Sequence, residues 1–205
     1  MTQHPAASFA PAWSRFSSWL AEHAPADHAA LRPKAQAREV SALEVELGFG
    51  LHPELAALLR LHNGVAEAGP GAFLPLGHRL IGTTAIAEWH GFLVELGWHG
   101  PDSPWDEEYL NGHAHQWVPF ALPNDGGMAF VDHRPGPGYG YVHEMGLGSG
   151  DADGTLWATG PGELFALLAD AVEGGTPFLD HRPRIDRREA GRSALTWDIV
   201  SNGAG

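Results

Sequence analysis

The chain contains no cysteine, a single lysine and no long apolar run, and each absence excludes something. Without cysteine there are no disulfides, no thiol nucleophile and no thiolate zinc site, which suits a reducing compartment. No stretch of about 18 apolar residues occurs, so a membrane-spanning helix is not expected. The start, MTQHPAASFAPAWSRF, lacks a basic opening followed by an apolar run, so no secretory signal is expected either. Together these readings lead to the expectation of a cytoplasmic protein.

Positive charge is scarce as well. Lys and Arg number 12 against 25 Asp and Glu, a net charge of −13. The imbalance is uneven: residues 1–180 hold 22 acids and 7 basic residues, whereas 181–205 hold 3 acids and 5 arginines, Arg182, Arg184, Arg187, Arg188 and Arg192. An acidic body repels phosphate backbones, so nucleic acid is not expected as a direct ligand, and a basic protein is the better-matched partner.

What is present reads as a folded α+β chain. The length of 205 residues suits one domain. Trp13, Phe16 and Leu20 share a helical face that Pro25 closes; Val40, Leu43 and Leu47 repeat the pattern before Gly48, which sits where a helix C-cap belongs. A third helix starts at Pro53, buries Leu55, Leu58 and Leu59, and ends at Asn63-Gly64. AFLPLGHRLIG offers two brief strand-like runs joined at Gly77. Helical spacing then returns with Thr83 or Thr84 as cap and Ile86, Trp89, Leu93 and Leu96 inward. Residues 98–114 show no period and read as a long loop. Three short runs, QWVPFAL, GMAFVD and GYVHEM, separated by glycine-rich bends, read as an antiparallel meander. TLWATG adds a strand and PGELFALLADAVEGG a last helix. The domain is expected over 1–175, with 176–205 an arginine-rich extension that either packs on it or stays flexible.

The run from His115 to Gly146 concentrates histidine, acid and glycine and invites a metal or catalytic reading. Its candidates, with neighbouring His113, are His115, His133 and His143, yet they fall on bends and mixed strand faces. His143-Glu144 is followed by Met145, Gly146 and Leu147, with no second histidine at helical spacing. No metal or cofactor is therefore expected, and the polar groups are read as satisfying turns. Asp151 and Asp153 are spaced like the first ligands of a calcium loop, but Leu156 stands where a glycine is needed and Gly162 where a bidentate glutamate is needed. Ser149 lacks the frame of a nucleophile elbow. A hydrolase built on His and Asp at 113–133 remains the weaker alternative.

Four segments in order, WSRFSSWLAEHAP, AREVSALEVELGFGLHPELAALLRLHNG, FLPLGHRLIGTTAIAEWHGF and WVPFALPNDGGMAFVDHRPGPGYGYV, resemble the SUKH superfamily, which is related to the yeast regulator of glucan synthesis. The resemblance rests on Glu44 and Leu47-Gly48 running into a helix begun by Pro53 and ended by His62-Asn63-Gly64. It continues with Trp117 and Pro119 in a strand, a glycine turn, and a strand ending at Asp132. It spans roughly 11–175. It implies an α+β domain with a curved antiparallel sheet and no enzymatic activity. Bacterial members are mostly immunity proteins that bind and neutralise a cognate nuclease or deaminase toxin; fungal ones act as scaffolds in signalling and cell-wall synthesis, which is the alternative here. For toxin binding, the best local candidate is PDSPWDEEYL, where Asp102, Asp106, Glu107 and Glu108 surround Trp105 and Tyr109 on a loop free of core duties.

Overall fold

The computed structural model describes residues 5–95, 114–124, 126–146, 154–188 and 192–200. Four helices come first: α1 (Pro5–His23), α2 (Pro25–Ala30), α3 (Ala37–Leu47) and α4 (Pro53–Leu59). Pro25 does more than close α1. It occupies the first turn of α2, where its missing N–H costs nothing, so the expected three opening helices are four. α3 begins with a capping box, the Gln36 N–H donating to Glu39 Oε2, and ends at Gly48 with φ 82°.

The expected strand at Phe73-Leu74 is absent. Pro75–Gly77 instead forms a 3₁₀ turn with Leu76 at φ 57°, and only Arg79–Leu80 pairs, as β1. Proline lacks the N–H that a continuous strand would need there. In α5 (Thr83–Glu95) the cap comes from another part of the chain: the Thr83 N–H donates to Asn63 Oδ1 at 2.7 Å. The two backbones touch at this point, since a Cβ on Gly64 would lie 2.5 Å from the Gly82 nitrogen. Of the residues expected inward on α5, Ile86 and Leu93 are, Trp89 is less so, and Leu96 lies outside the described residues. Ile86, Ala87, His90 and Leu93 are buried, while Trp89 is only half-buried.

β2 (Trp117–Leu122), β3 (Met128–Asp132), β4 (Val142–Met145) and β5 (Thr155–Ala158) complete a five-stranded antiparallel sheet in the order β1-β2-β3-β4-β5. Both faces of its centre are covered. On β3, Ala129 and Val131 face the main core, and Met128 and Phe130 belong to a second cluster with Leu93, Trp117 and Met145. Trp117 stacks on Phe130 with centroids 4.3 Å apart. α6 (Pro161–Gly174) packs on α1, where Phe165 meets Trp13 edge-on at 4.7 Å. Protein interiors of this kind are α+β by layer: helices on an antiparallel sheet within a single domain.

The arginine-rich end forms a hairpin, β6 (His181–Arg188) and β7 (Arg192–Ile199). It is anchored to the body by Asp27. This fully buried carboxylate accepts the Gly71 N–H at 2.7 Å through one oxygen and the Leu195 N–H at 2.6 Å through the other. Trp197 Nε1–H donates to the Phe73 carbonyl at 2.8 Å, and Leu195 is part of the main core. Among the described residues, no helix is long and apolar enough to cross a membrane.

Candidate functional site

The polar run between β3 and β4 meets the start of α4, and histidines make the joint. Pro53 opens α4, and His52 caps it, its Nδ1 accepting the Glu54 N–H at 3.3 Å. The His52 N–H donates to His133 Nε2 at 2.8 Å. His133 Nε2 is therefore the unprotonated nitrogen, and Nδ1–H donates to the Val131 carbonyl at 2.9 Å. Both ring nitrogens are engaged. Burial, opposed by the Val131 carbonyl and aided by His52, pushes this imidazole down to about 4, so it is neutral at physiological pH.

The residues around it are similarly committed. Asp132 is fully buried, and its carboxylate accepts the Arg134 backbone N–H at 2.8 Å and pairs with the Arg134 guanidinium at 2.6 Å. Gly140, at φ 91°, presses the following bend against His52, where a Cβ would come within 2.5 Å of Nε2. Tyr139 lies over the same ring at 5.1 Å. His143 is buried and stacks on Phe130, with its charged form disfavoured by burial. His90 on α5 donates Nε2–H to the His115 carbonyl at 2.8 Å and is likewise held below its ordinary value by burial.

Two clefts flank this joint. The larger, about 640 Å³, lies between α3, α5 and residues 115–116, with Glu46, Phe49, His90, Glu95 and Gln116 on its walls. The smaller, about 400 Å³, is lined by His52, Glu54, Tyr139, Thr159 and Glu163. In it, Glu54 Oε2 accepts the Gly162 N–H at the start of α6, and Glu163 is held below the usual carboxylate range by hydrogen bonds from the Thr159 hydroxyl and N–H. Among the described residues, neither cleft has a lysine or arginine on its wall.

Chemically, these histidines make structural bonds: His133 ties the end of β3 to the start of α4, and His90 ties α5 to the segment before β2. Among the described residues no group of three or more His, Asp or Glu could hold a metal ion. Asp132 and His133, which a hydrolase at 113–133 would need, have their polar atoms occupied by structural bonds. The binding-loop candidates Asp102, Trp105, Asp106, Glu107, Glu108 and Tyr109 lie outside the described residues, as do His113, Ser149, Asp151 and Asp153. The acid-walled cleft was not among the candidates, because Glu46 and Glu95 are exposed helix residues that look ordinary until α3 and α5 are brought side by side. His52 did carry a signal: a polar residue directly before Pro53 is the cap of a helix begun by proline. Searched against protein-family models and against curated proteins, the chain matches none.

Proposed function

We propose that the chain is a SUKH-type protein-binding module that acts without catalysis, as a cytoplasmic immunity protein neutralising a basic nuclease or deaminase toxin by direct contact. The observation that carries this reading is electrostatic. A net charge of −13 is coupled to two clefts walled by glutamates and free of lysine and arginine among the described residues, so the surface attracts a basic protein and repels nucleic acid. The helices on an antiparallel meander agree with the layout the family resemblance implies. Neutralisation would work by occlusion: acidic groups take the place of the nucleic-acid backbone at the toxin's cleft, and Trp105 and Tyr109 supply buried area.

The test is a titration of the full chain against the toxin that the immunity reading expects its gene neighbourhood to encode, comparing the wild type with a D106K/E107K/E108K variant. The variant is expected to bind at least about tenfold more weakly, because reversed charges repel across the interface. Its Tm is expected to stay close to that of the wild type. Unaltered affinity retires the loop, and absence of binding by the wild-type chain retires the immunity reading.

A further inference from the structure

The cleft between α3 and α5 has a chemistry of its own. The carboxylates of Glu46 and Glu95 are exposed, and neither makes a hydrogen bond or ion pair with a described residue. They place two negative charges on a wall whose described residues include no lysine or arginine to balance them. His90 also lines the cleft, and with its Nε2–H tied to the His115 carbonyl the neutral ring keeps its lone pair at Nδ1. Gln116, also on the wall, has its Oε1 buried with no partner. Between these groups lies apolar surface. Phe49 is half-buried and meets His90 edge-on at 6.0 Å, and Gly48 and Gly91 leave the walls open. A volume of about 640 Å³ falls within the usual range of ligand clefts.

We propose that this cleft takes one arginine side chain of the partner protein, its guanidinium bonded to Glu46 and Glu95 and lying against the Phe49 ring. An anion is repelled by two carboxylates, and a purely apolar group would leave them desolvated and unpaired. A guanidinium answers every feature of the wall: five donors for a set of acceptors, a permanent charge, and a planar face that stacks on an aromatic ring. The assignment rests on the reading that the chain binds a basic protein, and it adds where one basic side chain goes. It is independent of the 102–109 loop.

The probe is the peptide acetyl-Gly-Arg-Gly-amide, titrated into the full chain and followed by backbone amide shifts. The same peptide with citrulline in place of arginine, neutral and nearly isosteric, is the control. Shifts are expected to concentrate at 46–49, 87–95 and 115–116. Citrulline is expected to bind about tenfold more weakly, the equivalent of one charge-assisted hydrogen bond. E46Q and E95Q are each expected to weaken the arginine peptide several-fold without moving the Tm, since both side chains are exposed and pair with no described residue. Equal binding of the citrulline peptide, shifts mapping elsewhere, or an E46Q/E95Q double variant that binds like wild type overturns the assignment. The two readings separate cleanly. Failure of the peptide with toxin affinity intact removes the cleft and keeps the function; a peptide that binds at the cleft while no toxin does keeps the cleft and removes the immunity function.

Discussion

Acidification from about pH 7 to about pH 4.5 is expected to weaken the fold in a way traceable to one imidazole. His133 stands at about 4 in the native protein against an ordinary 6.5, because burial disfavours the charged ring by more than the Val131 carbonyl favours it. The unfolded chain therefore takes up a proton that the native state refuses. Stability from this group is complete above 6.5, falls as pH drops through that value, and levels off below about 4. At 1.36 kcal/mol per pH unit, the loss by pH 4.5 is about 2.5 kcal/mol. Protonating Nε2 also removes the acceptor for the His52 N–H, so the failure begins where α4 joins β3. The assay is urea unfolding at a series of pH values, comparing the wild type with His133→Gln. Glutamine keeps an acceptor near the Nε2 position and cannot titrate. It loses the Nδ1–H bond to Val131, which lowers stability by about 1 kcal/mol at every pH. The remaining histidines and the carboxylates titrate in both proteins, so the variant should lose roughly 2.5 kcal/mol less between the two pH values. Parallel declines in the two proteins would refute the reasoning.

Two further outcomes follow from buried joints. Asp27→Ala leaves the Gly71 and Leu195 N–H groups buried without an acceptor, and a loss of about 3 kcal/mol is expected, with hydrogen exchange rising first in β6 and β7; protection that falls uniformly across the chain would contradict the anchoring role. Gly140→Ala forces a side chain into a left-handed backbone and onto His52 Nε2. A loss of about 2 kcal/mol is expected by denaturant unfolding, whereas a variant as stable as wild type would show that the bend can move away from α4.

Some of this molecule can be read directly from spacing. Trp13, Phe16 and Leu20 recur at helical intervals and are buried on one face of α1, and the glycine pair after Leu122 forces a reversal between two apolar runs that pair as β2 and β3. Other features are invisible at that level. Pro25 ends one helix and begins another, and only the first role is evident from the preceding pattern. Trp89 and His90 are adjacent on α5, and hydrophobicity favours the tryptophan as the inward residue. The structure buries the histidine because its Nε2–H reaches the His115 carbonyl, a partner distant in sequence. Asp27 resembles any acid in the first turn of a helix until Gly71 and Leu195 bring their N–H groups to it.

By itself, the sequence determined the acidic balance, the absence of thiol chemistry, and the α+β succession of helices and meander, because charge, composition and periodicity are local properties. Tertiary structure decided which polar residues are structural and which face a cleft. That choice depends on desolvation and on partners from other elements: His133 is fixed by α4, Asp27 by the closing hairpin, and Glu46 and Glu95 acquire a common purpose only where α3 and α5 lie together.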